Sequence, residues 1–223
     1  MLRSDCDFCR EFAGDSDNSF QTIYAGGPDS RFLLRSLQFV VVPSLGQIFE
    51  GYLLLLPIKH FRALGDLPPL ALEEFVAISE SVKKVLENDY GPCIFFEHGT
   101  RSAGVGGCGI YHAHAHAAPL AGLSDPVDIL KKRFPYATLA NLNEISKESA
   151  GLSSYLFYQD TAARLYLFDT GPLPSQYMRK LLADSLGTED WNWRNAGRED
   201  RVLATIARLA PRFEAEGKAI HQR

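Results

Sequence analysis

Tyr111-His112-Ala113-His114-Ala115-His116-Ala117-Ala118 is the stretch on which the reading of this chain turns. The chain has six histidines, and three stand here at every second position. In an extended strand, side chains alternate between faces. His112, His114 and His116 therefore project from one face, about 6.5–7 Å apart in succession, and the alanines from the other. A helix would spread the same three around its circumference, so the strand is what makes them a constellation. Imidazole attacks phosphorus, carries protons and binds metal near neutral pH. Three aligned rings allow one to act as nucleophile while its neighbours orient it or handle protons and charge. A pure metal site, or a structural strand with fortuitous histidines, are the alternatives at this point.

Immediately upstream lie Gly104, Gly106, Gly107 and Gly109. Glycines let backbone N–H groups close around an anion, and Arg101 in the same loop adds a guanidinium suited to phosphate. Farther out, short apolar or alternating runs at Phe32–Leu34, Phe39–Val42, Tyr52–Leu56 and Cys93–Phe96 predict strands, with another over Ile110–Ala118. Phe75, Ile78, Val82 and Val85 recur at helical spacing behind Pro68 and Pro69, which predicts a helix ending near Asn88–Gly91. A short helix is predicted over Asp125–Phe134, and 135–153 reads as a connection. In the tail, Tyr155–Tyr158 and Arg164–Phe168 predict a hairpin. Helices follow from Pro174 to about Leu186 and over roughly Glu199–Leu209. Without a regular βαβ alternation, this order points to an α+β fold: an antiparallel sheet with helices on one face, plus a C-terminal hairpin and helix extension. The expected division is a catalytic domain over 1–124, a helix and connection over 125–153, and an extension over 154–223. Trp191 and Trp193 either anchor that extension or offer flat surfaces to a base or sugar. The extension is expected to close over the pocket and help select the substrate.

Composition bounds these readings. The 223 residues are 46% hydrophobic and 22% charged, enough apolar mass for a sizeable core. The formal net charge of −4 argues against a nucleic-acid-coating surface. The longest apolar run, Tyr52–Pro57, is too short to span a bilayer, so no membrane association is expected. Four cysteines are too few for a disulfide framework, and no secretory signal is visible, so a cytoplasmic location is expected. Cys6 and Cys9 have the spacing of half a zinc site.

His112-Ala-His114-Ala-His116-Ala-Ala resembles the signature of the histidine triad family. The resemblance extends to Cys6-Asp-Phe-Cys9 and to Gly51-Tyr-Leu-Leu-Leu-Leu-Pro57-Ile-Lys-His60, and covers about the first 120 residues. It implies a nucleotide hydrolase or nucleotidyl transferase that attacks an α-phosphorus through a covalent nucleotidyl-histidine intermediate. Substrates would be of the dinucleoside polyphosphate or nucleoside phosphoramidate type. The alternatives are a nucleotide-binding sensor with low turnover and a sugar-nucleotide or phosphorylase-type transferase. By motif position His114 is the nucleophile, His116 contacts the phosphate or leaving group, and His112 holds the stripe in register or binds metal. The nucleotide and phosphate candidates are Ser44, Tyr52, Glu97, Arg101, Gly107, Cys108 and Gly109. Four of these depart from the family pattern. Tyr52 stands where most relatives carry histidine, Ser44 where an Asp or Asn usually holds the ribose, and Cys108-Gly109 where Gln-Ser or Gln-Thr is usual. The zinc-bearing branch implies a structural zinc ion, Zn2+, on Cys6, Cys9, His60 and His112. No organic cofactor is expected. A homodimer is expected, with a monomer as the alternative if the tail covers that surface.

Overall fold

The computed structural model describes residues 6–24, 28, 30–100, 110–120, 122–195 and 197–220. Eight strands form one sheet: β1 (Leu34–Arg35), β2 (Phe39–Pro43), β3 (Leu53–Pro57), β4 (Cys93–Thr100), β5 (Ala115–Pro119), β6 (Tyr136–Leu139), β7 (Ser154–Gln159) and β8 (Leu165–Phe168). Their spatial order is β1-β2-β3-β5-β4-β7-β8-β6, and every adjacent pair is antiparallel. The helices are α1 (Asp7–Ala13), α2 (Ser19–Ile23), α3 (Pro69–Tyr90), α4 (Val127–Arg133), α5 (Ile145–Glu148), α6 (Tyr177–Leu186) and α7 (Glu199–Ile220). Among the described residues, no helix is long and apolar enough to cross a membrane.

The period-2 pattern of the strands separates two cores. Val41, Leu53, Leu55, Phe95, Ala115, Ala117 and Phe157 face α3, with Leu209 and Phe213 of α7 joining them. The alanines between the histidines thus serve packing, because a small side chain on β5 lets α3 lie close to the sheet. Cys93 belongs to this core, and burial pushes its thiol up to about 12. On the opposite face, α1 covers Val40, Val42, Leu54 and Leu56, while α4 and α6 cover Ile94, Phe96, Leu156, Tyr158 and Phe168.

Several elements differ from the sequence reading, among them α1, α2 and α5, which it did not include, and three differences have a visible physical reason. The fifth strand begins at Ala115 rather than Ile110, because its partner β3 ends at Pro57, whose carbonyl is taken by the His112 side chain instead of by a ladder hydrogen bond. A strand, β6, lies inside the stretch read as a connection; among the described residues it pairs only with β8, and a four-residue edge strand gives little periodicity to detect. The last helix runs through Pro211 to Ile220. Its apolar stripe continues past the proline with Phe213, which is buried against the α3 core.

The tail is woven into the sheet. Strand β7 occupies the edge of β4 that faces away from β5, with pairs from Phe95↔Gln159 to Thr100↔Ser154. The expected boundary at 124 thus falls within one continuous sheet. Gly99 shows how tight that seam is: a Cβ there would lie 2.2 Å from the Tyr155 ring, which is fully buried.

Candidate active site and metal centre

His112, His114 and His116 are all buried. The rings of His114 and His116 are 5.1 Å apart, closer than the strand repeat, and inclined at 59°. Phe8 of α1 sets its ring 5.7 Å from both His112 and His114 and so closes that end of the stripe.

Each imidazole has one nitrogen fixed by a neighbour. The Nδ1 of His114 lies 2.5 Å from the backbone carbonyl of His112. A carbonyl only accepts, so Nδ1 carries the hydrogen and Nε2 keeps its lone pair. The His112 ring donates from Nε2 to the carbonyl of Pro57 at 2.8 Å, which leaves its Nδ1 as a lone pair turned toward the cysteines. The Nδ1 of His116 lies 2.9 Å from the Tyr52 hydroxyl, and its ring stacks on Phe96 at 4.6 Å and 8°. The guanidinium of Arg179 sits 5.4 Å from the centre of the Tyr52 ring. A cation on that face favours phenol as the donor, which leaves the hydrogen of His116 on Nε2. That Nε2 is buried and has no hydrogen-bond partner among the described residues.

Burial lowers the affinity of these rings for protons. It holds His114 below its ordinary value against the opposing bond to the His112 carbonyl. Burial, then the His114, Arg179 and His98 charges, hold His116 well below its own. His98 is lowered to about 4, chiefly by burial and then by His114. Both candidate catalytic imidazoles are neutral at pH 7, as a nucleophile requires. The consequence for stability has a definite sign. An unfolded histidine takes up a proton near pH 6.5, whereas His98 does so in the folded chain only near 4. Stability therefore falls as the medium is acidified from about 6.5 to about 4, by roughly 1.4 kcal/mol per pH unit for each such histidine. Denaturant midpoints at pH 7, 6 and 5 should decline, and His98→Gln should flatten the decline.

His98, which by sequence either lines the site or ends a strand, lines the cavity. Its neighbour Phe96 pairs with His116, so the continuing register sets His98 across from His114, and its Nε2 meets Ser154 Oγ at 3.1 Å. Period 2 along β4 turns the adjacent Glu97 to the other face. There its carboxylate accepts from the Leu64 N–H at 2.8 and 3.0 Å and from the Tyr155 hydroxyl at 2.8 Å. Glu97, expected at the phosphate, is thus committed to a buried structural bond. Arg101, Gly107, Cys108 and Gly109 lie outside the described residues.

A cavity of about 680 Å3, part of it open to solvent, runs in front of His114 and His116. Ser44, Leu45, Leu54, Phe8 and His98 line it from the sheet side, and Leu173, Gln176, Met178, Arg179 and Trp193 from the tail. Gln176 holds a left-handed backbone (φ 61°) while its side chain bonds Asn192 and the Trp193 N–H. Trp193 also packs with Phe20, Tyr24, Leu45 and Val202, so one indole both anchors the tail and faces the cavity.

Beside the triad, one ligand atom from each of Cys6, Cys9, His60 and His112 lies within 4.8 Å of the others. The sulfur of Cys6 is 3.4 Å from His112 Nδ1, and that of Cys9 is 3.6 Å from the same atom and 3.4 Å from His60 Nδ1. Tetrahedral zinc with Zn–S of about 2.3 Å and Zn–N of about 2.05 Å requires S···N edges of about 3.5 Å. The residues fit that ion. Cys6 and Cys9 arrive from the start of α1, His60 from the turn after β3, and His112 from the approach to β5.

No family model matches the chain, and no curated protein does. Solved structures do. A hypothetical histidine triad nucleotide-binding protein from Sulfolobus tokodaii strain7 is 21% identical with a TM-score of 0.38, over 51% of this chain and 68% of that one. A Zn-bound histidine triad family protein from Mycobacterium smegmatis is 20% identical with a TM-score of 0.39, over 53% of this chain and 76% of that one. A histidine triad protein from Clostridium difficile is 22% identical with a TM-score of 0.38, over 52% of this chain and 91% of that one. The histidine stripe leads into the central strand β5, with His116 inside the strand, and is held from one side by the candidate metal set and from the other by Tyr52.

Proposed function

We propose that this chain is a nucleotide hydrolase or nucleotidyl transferase that works through a covalent bond between His114 and an α-phosphorus. The observation that carries this reading is the 2.5 Å contact from His114 Nδ1 to the His112 carbonyl. It fixes the tautomer that presents a lone pair at Nε2. In the first step Nε2 forms an N–P bond while the bond from phosphorus to the leaving atom breaks, and the electron pair departs on that atom. The ring is then an imidazolium, and the His112 carbonyl stabilises it at Nδ1. In the second step a water oxygen bonds to phosphorus, the N–P pair returns to Nε2, and the water proton passes to the medium. His116 donates from Nε2 to a phosphoryl oxygen, where charge builds in the transition state.

A zinc ion on Cys6, Cys9, His60 and His112 would be a closed structural site that staples α1 to the catalytic strand. These four residues hold the His112 backbone, and through its carbonyl the His114 ring.

The test is to incubate the chain with dinucleoside polyphosphates, nucleoside phosphoramidates and sugar nucleotides. A mononucleotide adduct on His114 by mass spectrometry, with release of mononucleotide, is the expected result. Binding without adduct or release would replace it with the sensor reading. Tyr52→Phe removes the hydroxyl that meets His116 Nδ1. Turnover should drop about tenfold with little change in KM, since one orienting hydrogen bond is worth about 1–1.5 kcal/mol. An unchanged kcat would show that Tyr52 does not brace His116.

A further inference from the structure

His98 belongs to neither the triad nor the candidate metal set, yet its ring lines the cavity with His114 and His116. Strand β4 alternates, so Phe96 and His98 share the face that meets the histidine stripe. Phe96 uses that face for packing, with its ring stacked on His116. His98 brings a polar ring one step farther along, and it also lines a smaller void bounded by Thr100, His112 and His114. Charge on His114 disfavours protonation of His98, and charge on His98 disfavours that of His116, so the three imidazoles sense one another. The Nε2 of His98 lies 3.1 Å from Ser154 Oγ, at the start of β7. Ser154 is 1% exposed, and His98 is the one described partner of its hydroxyl. Were that hydroxyl the acceptor, its own hydrogen would be buried unmatched. The satisfied arrangement has Ser154 donating to Nε2. The neutral ring then carries its hydrogen on Nδ1, which has no hydrogen-bond partner among the described residues.

We propose that His98 is a further catalytic residue, which donates from Nδ1 to the phosphoryl group attacked by His114, and that Ser154 is the positioning residue that sets its tautomer. This deepens, and rests on, the reading of His114 as the nucleophile. No bond to His98 is made or broken, and its hydrogen stays on Nδ1 throughout. In each step negative charge grows on the non-bridging phosphoryl oxygens, and His116 Nε2–H and His98 Nδ1–H both meet it. A donor whose bond strengthens in the transition state raises kcat more than it lowers KM. The C-terminal extension thereby enters the chemistry, because Ser154 opens it and holds His98 from the far side of β4.

Substitutions at His98 separate this role from a structural one. Asn carries a nitrogen where histidine has Nδ1, Gln reaches the Nε2 position, and Leu offers neither. With a substrate from the panel above, His98→Leu should lose about a hundredfold in kcat with KM little changed. His98→Asn should recover to within about tenfold of wild type, while His98→Gln stays near His98→Leu. If the ring serves only its bond to Ser154, Gln outperforms Asn, and that order overturns the proposal. Turnover in His98→Asn no better than in His98→Leu overturns it as well. If His98→Leu does not fold, the comparison of Asn with Gln decides in the same terms. Nitrogen NMR of histidine-labelled full chain should find the His98 hydrogen on Nδ1, and a hydrogen on Nε2 overturns the assignment. Ser154→Ala should lower kcat by about threefold to tenfold and loosen that tautomer, and an unchanged kcat and tautomer remove Ser154 from it. Wild-type kcat in every His98 variant overturns the proposal while the His114 adduct, and with it the nucleophile, stands. If wild type forms no adduct with any substrate, the nucleophile reading fails, and AMP titrated into the labelled chain decides the contact. Movement of the His98 Nδ1–H resonance then sustains it, and none overturns it.

Discussion

Replacing His114 with alanine should abolish turnover, by about 10⁴-fold or more, while leaving the fold intact. The expected size follows from the role: the covalent route is closed altogether, and what remains is the rate enhancement from binding and from donors such as His116. The variant removes a ring whose one described hydrogen bond goes to the carbonyl two residues before it. It leaves Ala115 and Ala117, which face α3, untouched. Circular dichroism and the thermal midpoint should therefore change little, and the mass adduct should vanish. A His114→Ala protein that keeps more than about a tenth of wild-type turnover would remove the nucleophile from the scheme.

Removing the metal set should give the second large effect, on stability. Cys6, Cys9, His60 and His112 come from three segments separated by up to 106 residues in sequence. A bound zinc ion ties all three together. Zinc binding is worth ~10–16 kcal/mol in isolated finger peptides. This chain has its own apolar cores, so only part of that should appear as stability. A loss of roughly 3–5 kcal/mol on chelation or in Cys6→Ser corresponds to a fall in Tm on the order of 10 °C. Elemental analysis of the wild type should find one zinc per chain. Turnover should fall with it, because the His112 carbonyl that sets the His114 tautomer belongs to the same residue that offers Nδ1 to the metal. Purified protein with less than a tenth of a zinc per chain and a Tm indifferent to chelator would dispose of the site.

These two predictions trace to motifs that are legible as sequence. His112, His114 and His116 announce themselves by period 2, and Cys6-x-x-Cys9 by ligand spacing. The orientation of Glu97 was legible too. Once Phe96 is placed beside His116, alternation turns Glu97 away and His98 toward the site. What no local pattern reveals is the meeting of Arg179 with Ser44, 135 residues apart. Helical periodicity marks Arg179 as an ordinary member of an amphipathic helix. Its burial beside the triad follows only from the sheet topology, in which β7 and β8 carry the tail to the same face. A contact from α7 is similarly invisible: Thr205 Oγ1 donates to Gln47 Oε1 and accepts from the Gly51 N–H, and so braces the turn that presents Tyr52.

The placement of β7 against β4 also sets the order in which the molecule can be made. A polypeptide leaving the ribosome has β1 to β5 available by Pro119, yet one margin of β4 has no mate until Ser154–Gln159 emerges. During that interval Cys93 to Thr100 is an apolar strand with exposed N–H and C=O groups, the kind of border that recruits neighbouring chains. Truncated translation products ending before 154 should therefore clump, and a competent pocket arises only after Arg179 has been synthesised.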